Sequence, residues 1–198
     1  APTPEAAAQF AARFHAGLAL LERACPELAG EFRALIREVV PFCGDRTRNM
    51  QLDGGSHYRL WGALFLNAEF HPTPHAIVEV LAHESAHSLL FGFCTHQPLV
   101  RNDDDDRYDS PLRPDARPMD GIYHATFVSA RMHLAMTRLL DAGLLHDAAA
   151  AQVRAARDAD IENFLSGHGT VRAHGVLTPL GRRLMDGARD YMALAKAG

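Results

Sequence analysis

The run VLAHESAHSLLF, residues 80–91, constrains the fold of this chain more than any other stretch. It is almost wholly apolar and reads as a core helix, yet it carries His83 and His87 four residues apart, with Glu84 directly after the first. Imidazoles and carboxylates are costly to bury without partners. On a helix, residues i and i+4 share one face, so both rings can reach a single metal ion. The preceding HPTPHAIVEV supplies Thr73 as N-cap and Pro74 as first helical residue, and the helix is expected to end near Gly92.

Around this helix the pattern is mostly helical. Thr3 and Pro4 open a first helix that runs through LALLERA, and a second is expected from Pro26 to Val40, stopped by Pro41. Between Thr47 and Asn67 the segments MQL, HYRLW and ALFLN flank Gly54-Gly55 and Gly62 and read as two or three short strands with tight turns. Residues 95–119 form a long irregular stretch, of the kind that is functional when ordered. Its DDDD run reads as a solvated loop, since a calcium site would need alternating ligands and a glycine. Asp120 is expected to cap a helix through Leu140 with Gly143 as its stop, and two more helices follow, the last capped by Thr178 and Pro179.

With 198 residues, 47% of them hydrophobic and 22% charged, the chain has the composition of one globular domain, 1–198. A net charge of −4 argues against a binder of nucleic-acid phosphates. Cys25, Cys43 and Cys94 are too few and too irregular for a disulfide framework or zinc knuckle, which suggests a reducing, cytoplasmic setting. No apolar run approaches the roughly 18 residues of a membrane span, and nothing at the N-terminus reads as a signal peptide. The chain begins with Ala, as a piece of something longer would.

Two ligands do not hold a catalytic metal, which takes three protein ligands and keeps positions open. The third is expected from DGIYHATFVSARMHLAMTRLL, residues 120–140. On a helical wheel Phe127, Val128, Met132, Leu134, Ala135 and Leu139 form one apolar face, with His124 and Arg131 at its centre. Thr126, Ser129, His133 and Thr137 fall opposite and read as solvated. Asp120 and Glu69 are the carboxylate alternatives to His124.

This constellation admits two chemistries. With zinc, Glu84 deprotonates a metal-bound water that attacks a peptide carbonyl, and an edge strand such as that in ALFLNAEF can hold an extended peptide. With ferrous iron, three facial ligands leave positions for a 2-oxo acid and dioxygen. The second chemistry needs a cation for the distal carboxylate of 2-oxoglutarate. Arg131, two turns or about 10.5 Å along the helix from His124, is the first candidate, with Arg113 and Arg117 as the others.

LAHESAHSLLF, followed by YDSPLRPDARPMDGIYHATFVSARM, resembles the HExxH-type α-ketoglutarate-dependent peptide β-hydroxylases of bacterial peptide natural-product clusters. The likeness covers roughly residues 75–135, with a weaker echo in LTPLGRRLMD. The resemblance implies iron held by His83, His87 and His124, with an arginine of this segment on 2-oxoglutarate; Ser110 and Tyr108 are candidates for added hydrogen bonds to it, against the plainer reading of both as ordinary loop residues. Glu84 would then orient a ligand or a water. The expectation is an α+β, zincin-like domain with a small antiparallel sheet packed on the HExxH helix and additional helices around it. Its expected activity is that of an iron- and 2-oxoglutarate-dependent dioxygenase hydroxylating a ribosomally made peptide, at Cβ of a side chain. A zinc metallopeptidase is the alternative.

Overall fold

The computed structural model describes residues 1–44, 52–112 and 114–197. In chain order these form α1 (Pro4–Ala24), α2 (Pro26–Leu35), β1 (Glu38–Phe42), β2 (Gly54–Ser56), β3 (Ala63–Asn67), α3 (Pro74–Phe93), α4 (Met119–Asp141), α5 (Asp147–His174) and α6 (Pro179–Ala197). The fold is α+β. No described helix is long and apolar enough to cross a membrane.

The helix starts follow from local chemistry. Thr3 Oγ1 accepts from the Ala6 amide at 3.2 Å, Thr73 Oγ1 from Ala76 at 3.3 Å, and Thr178 Oγ1 from Gly181 at 3.1 Å. Each threonine is followed by proline, whose missing N–H costs nothing in a first turn. α4 starts differently from expectation. Pro118 is its N-cap without a side-chain bond, and Asp120 lies in the first turn. The helix ends at Asp141, and Gly143 just beyond its C-cap Ala142 adopts φ +64°, a left-handed conformation suited to glycine.

The sheet is mixed, which corrects the expected antiparallel arrangement. Its order is β1-β3-β2, with β1 parallel to β3 (Val40 opposite Phe65) and β2 antiparallel to it (Gly55 opposite Phe65). α2 is shorter than expected, because Val39, Val40 and Pro41 belong to β1. The HYRLW segment holds a single 3-10 turn, Tyr58–Leu60, and MQL contributes no described strand, its Met50 and Gln51 lying outside the described residues.

The core forms where α1, α3 and α4 meet, with Leu64, Leu66, Ile77, Leu81, Leu90, Ile122 and Val128 all fully buried. Gly17 lets α1 touch α3, since a Cβ there would stand 2.4 Å from Ile77 Cβ. α4 is the central helix and is buried on two sides, contrary to the solvated face assigned to it. Thr126 and Ser129 have no exposure, and His133 bonds through Nδ1 to the Tyr191 hydroxyl at 2.8 Å. α5 packs along that side. The hydroxyls of Thr126 and Ser129 are satisfied by the carbonyls of Ile122 and Ala125 in their own helix, so they need no water.

Candidate active site

α3 brings His83, Glu84 and His87 to one wall of a cavity of about 890 Å³, and α4 brings His124 to another. Asp53 to Ser56 close a third side, and Ser110, Leu112 and Arg117 close the fourth. The three imidazoles named from sequence are therefore in one place. His83 and His87 approach through Nε2 at 3.2 Å, and His87 and His124 through Nδ1 at 2.9 Å, with nearly parallel rings. Phe91 lies against His87 and His124, with ring centroids 6.5 and 5.7 Å away, and Tyr58 packs edge-on against Phe91.

Burial holds His87 well below the usual histidine range, and the neighbouring His83 and His124 add to that. Burial also lowers His124, with Asp120 opposing. Both rings are thus neutral at pH 7 and keep a lone pair for a cation. Their arrangement is a chain, however. His87 offers opposite ring nitrogens to its two neighbours, and among the described residues no three His, Cys, Asp or Glu side chains are grouped to hold a metal. The Nε2 atoms of His83 and His87 are as far apart as two nitrogens that share one first-row ion at about 2.0–2.1 Å. The donor types fit a metal; joining His124 to that pair requires a ring rotation.

Glu84 is only 4% exposed. Its Oε1 lies 3.8 Å from His83 Nε2, and its Oε2 has no hydrogen-bond partner. Burial pushes its carboxyl up to about 7; the Ser56 hydroxyl opposes that and Asp53 adds to it.

The long loop is tied at several points. Tyr108 and Arg117 exchange both backbone hydrogen bonds at 2.8 Å, while Thr178 N–H donates to Leu99 O at 3.0 Å. This bridge sets Arg117 and Ser110 on the cavity wall. Arg117 Nη1 also lies 3.4 Å from Asp115 Oδ2. Tyr108 points elsewhere, accepting from Asn102 Nδ2 at 3.1 Å and donating to Asp106 at 3.2 Å.

Arg131 is the main correction to the site. Its guanidinium pairs with Glu31 of α2 and does not line the cavity. Two turns separate it from His124, and at that distance along α4 its side chain meets Glu31. Arg113 lies outside the described residues. Of the carboxylate alternatives, Asp120 lines the cavity, whereas Glu69 is exposed and does not.

The structure adds residues that no sequence signal singled out. Asp53, Glu79 and His71 line the cavity with β2. His71 adopts φ +56° and its Nε2 meets the Asp53 carbonyl at 3.2 Å. A non-glycine residue in that region draws notice at a cavity wall, but a dihedral is invisible in sequence. No protein-family model matches the chain, and comparison with curated proteins found no significant match.

Proposed function

We propose that this cavity hydroxylates a side chain of a ribosomally made peptide, at Cβ, using Fe(II) and 2-oxoglutarate. The observation that carries the reading is that three imidazoles, two of them kept neutral by burial, share one cavity with Arg117 and Ser110 of the loop. His83, His87 and His124 would hold the iron, whose role when bound is to couple 2-oxoglutarate decarboxylation to dioxygen activation. Overall, the peptide C–H becomes C–OH while 2-oxoglutarate and dioxygen give succinate and carbon dioxide.

The chain's own residues have distinct tasks. Arg117 takes the role first given to Arg131 and binds the distal carboxylate of 2-oxoglutarate, using donors beyond the one near Asp115. Ser110 adds a hydrogen bond. Glu84 uses its unpartnered Oε2 to orient a water or a ligand ring. Phe91 excludes bulk water from the His87–His124 side. β2 is the edge strand beside the cavity, so an extended peptide can pair with it through main-chain hydrogen bonds.

The test is succinate formation from 2-oxoglutarate by the iron-loaded protein. Arg117→Met should raise the half-saturating 2-oxoglutarate concentration about ten-fold or more, since a charge-assisted bond contributes about 1.5–3 kcal/mol. Iron content should not change. An Arg117→Met protein that titrates like the parent removes this arginine from the account. A second reading, a zinc metallopeptidase, is favoured by one observation: the buried Glu84 places Oε1 3.8 Å from His83 Nε2 and leaves Oε2 without a hydrogen bond, where a base for a bound water would stand.

A further inference from the structure

The segment after β2 carries apolar side chains that folding leaves half in solvent. Tyr58 and Trp61 are each 49% exposed and Leu60 53%, although burial of such side chains is a main source of stability. The segment that bears them is nonetheless held in place. His57 Nδ1 accepts from the Arg59 amide at 3.1 Å, and the Leu60 amide donates to the His57 carbonyl at 2.9 Å. Gly62, at φ +99°, then turns the chain into β3. The Trp61 indole donates from Nε1 to the Ser88 carbonyl of α3 at 3.0 Å, and its ring lies by Gly92, where a Cβ would stand 3.2 Å from it. With its one polar side-chain atom bonded inside the protein, the indole has only apolar contact left to offer.

Two observations join this surface to the candidate active site. Tyr58 packs edge-on against Phe91 with ring centroids 5.9 Å apart, and Phe91 lies 5.7 Å from His124, so the Tyr58 ring stands within about 12 Å of that imidazole. β2 itself lines the cavity, and Tyr58 follows its last residue by two positions. A Cβ on Gly55 would meet nothing within 4 Å, so the strand leaves room for a chain beside it. The surface also lies away from the ends of segment 45–51: Gly44 and Leu52 both approach Asn67 at the end of β3, whereas Trp61 precedes Ala63 at its start.

From this we infer that Tyr58, Leu60 and Trp61 form an external subsite for a large apolar side chain of the peptide substrate, phenylalanine or leucine in kind. The inference rests on the peptide-modifying reading and specifies its substrate class. Continuity commits the surface to this occupant. One strand edge, β2, runs along the cavity and leads into the turn that carries the three side chains, so a peptide paired with β2 passes from one to the other. An extended chain rises about 3.3 Å per residue, which puts the apolar residue no more than about four positions from the one facing the imidazoles. Rings already fixed by Phe91 and Ser88 give contact area at small entropic cost.

The test is a binding measurement that needs no turnover. Trp61 is the only tryptophan of the chain, so its emission reports on this surface directly. An acetylated and amidated heptapeptide of threonines with phenylalanine at its centre, and its alanine and glutamate counterparts, are titrated into the full chain by fluorescence and calorimetry. The phenylalanine peptide should bind about five-fold tighter or more than the alanine peptide and shift the Trp61 emission, with the glutamate peptide weakest. Tyr58→Ala and Leu60→Ser should each reduce the phenylalanine preference several-fold. Leu60 is the most exposed of the three, so its variant is expected to fold even if the Tyr58 variant does not. Equal binding of the three peptides, no measurable binding of the phenylalanine peptide at millimolar concentration, or an undiminished preference in Leu60→Ser overturns the subsite. So does an emission shift that grows with protein concentration in the absence of peptide, which would make a second copy of the chain the occupant. Phenylalanine preference without succinate formation supports the subsite and removes the hydroxylase reading; succinate formation without the preference does the reverse.

Discussion

Asp160→Asn should remove a pH dependence of stability that the wild-type chain carries. Asp160 is buried between α5 and its neighbours, its Oδ2 makes no hydrogen bond, and burial with the nearby Glu79 pushes its carboxyl up to about 8. In the unfolded chain the same group titrates near 3.9. Between about pH 4 and 8 the folded chain therefore holds a proton that the unfolded chain has released. Stability must fall as pH rises through that window, by at most about 1.4 kcal/mol per pH unit from this group. Asparagine has nearly the same shape as the protonated acid and does not titrate. The variant's stability relative to the wild type should rise by about 2–3 kcal/mol between pH 5 and pH 7. Urea unfolding at pH 5, 6 and 7, read by circular dichroism, measures the difference. A difference that stays constant across the three pH values, or a wild type that gains on the variant as pH rises, refutes the reasoning.

Three further outcomes follow from the packing and the site. Gly167→Ala should destabilise by about 1–3 kcal/mol in the same unfolding assay, because a Cβ there would stand 2.2 Å from Thr126 Oγ1 where α5 crosses α4. Arg131→Met should leave the 2-oxoglutarate titration unchanged. It should lower stability by about 1.5–3 kcal/mol through loss of the Glu31 bond, and a shifted co-substrate affinity would return Arg131 to the site. Glu84→Gln should keep the metal and part of the succinate formation; complete loss of turnover with metal retained, together with peptide cleavage by the parent, would favour the hydrolase.

How far the sequence was legible depended on how local the signal was. The starts of α1, α3 and α6 were read correctly because a threonine cap and a proline act within four residues. β1 was misread because Val39 and Val40 continue the apolar run of α2, while their strand character comes from pairing with β3 twenty-odd residues later. Gly54-Gly55-Ser56 carries no side-chain pattern that could announce an edge strand. The polar side of α4 looked solvated because Thr126 and Ser129 conceal their hydroxyls against their own helix, which only the presence of α5 reveals. His124 was found because an imidazole in an apolar stripe has few uses. The same argument failed for Arg131, whose partner Glu31 is one hundred residues away in sequence. Asp53, Glu79 and His71 became visible only when the cavity brought three separate segments together.

The central claim is that His83, His87 and His124 hold one catalytic iron. Metal content of the anaerobically purified protein, loaded with ferrous iron and compared with His124→Ala, tests it most directly. The account predicts close to one equivalent of iron in the parent and a large loss in His124→Ala, with the fold unchanged by circular dichroism. A His124→Ala protein that retains the parent's full iron content would contradict it.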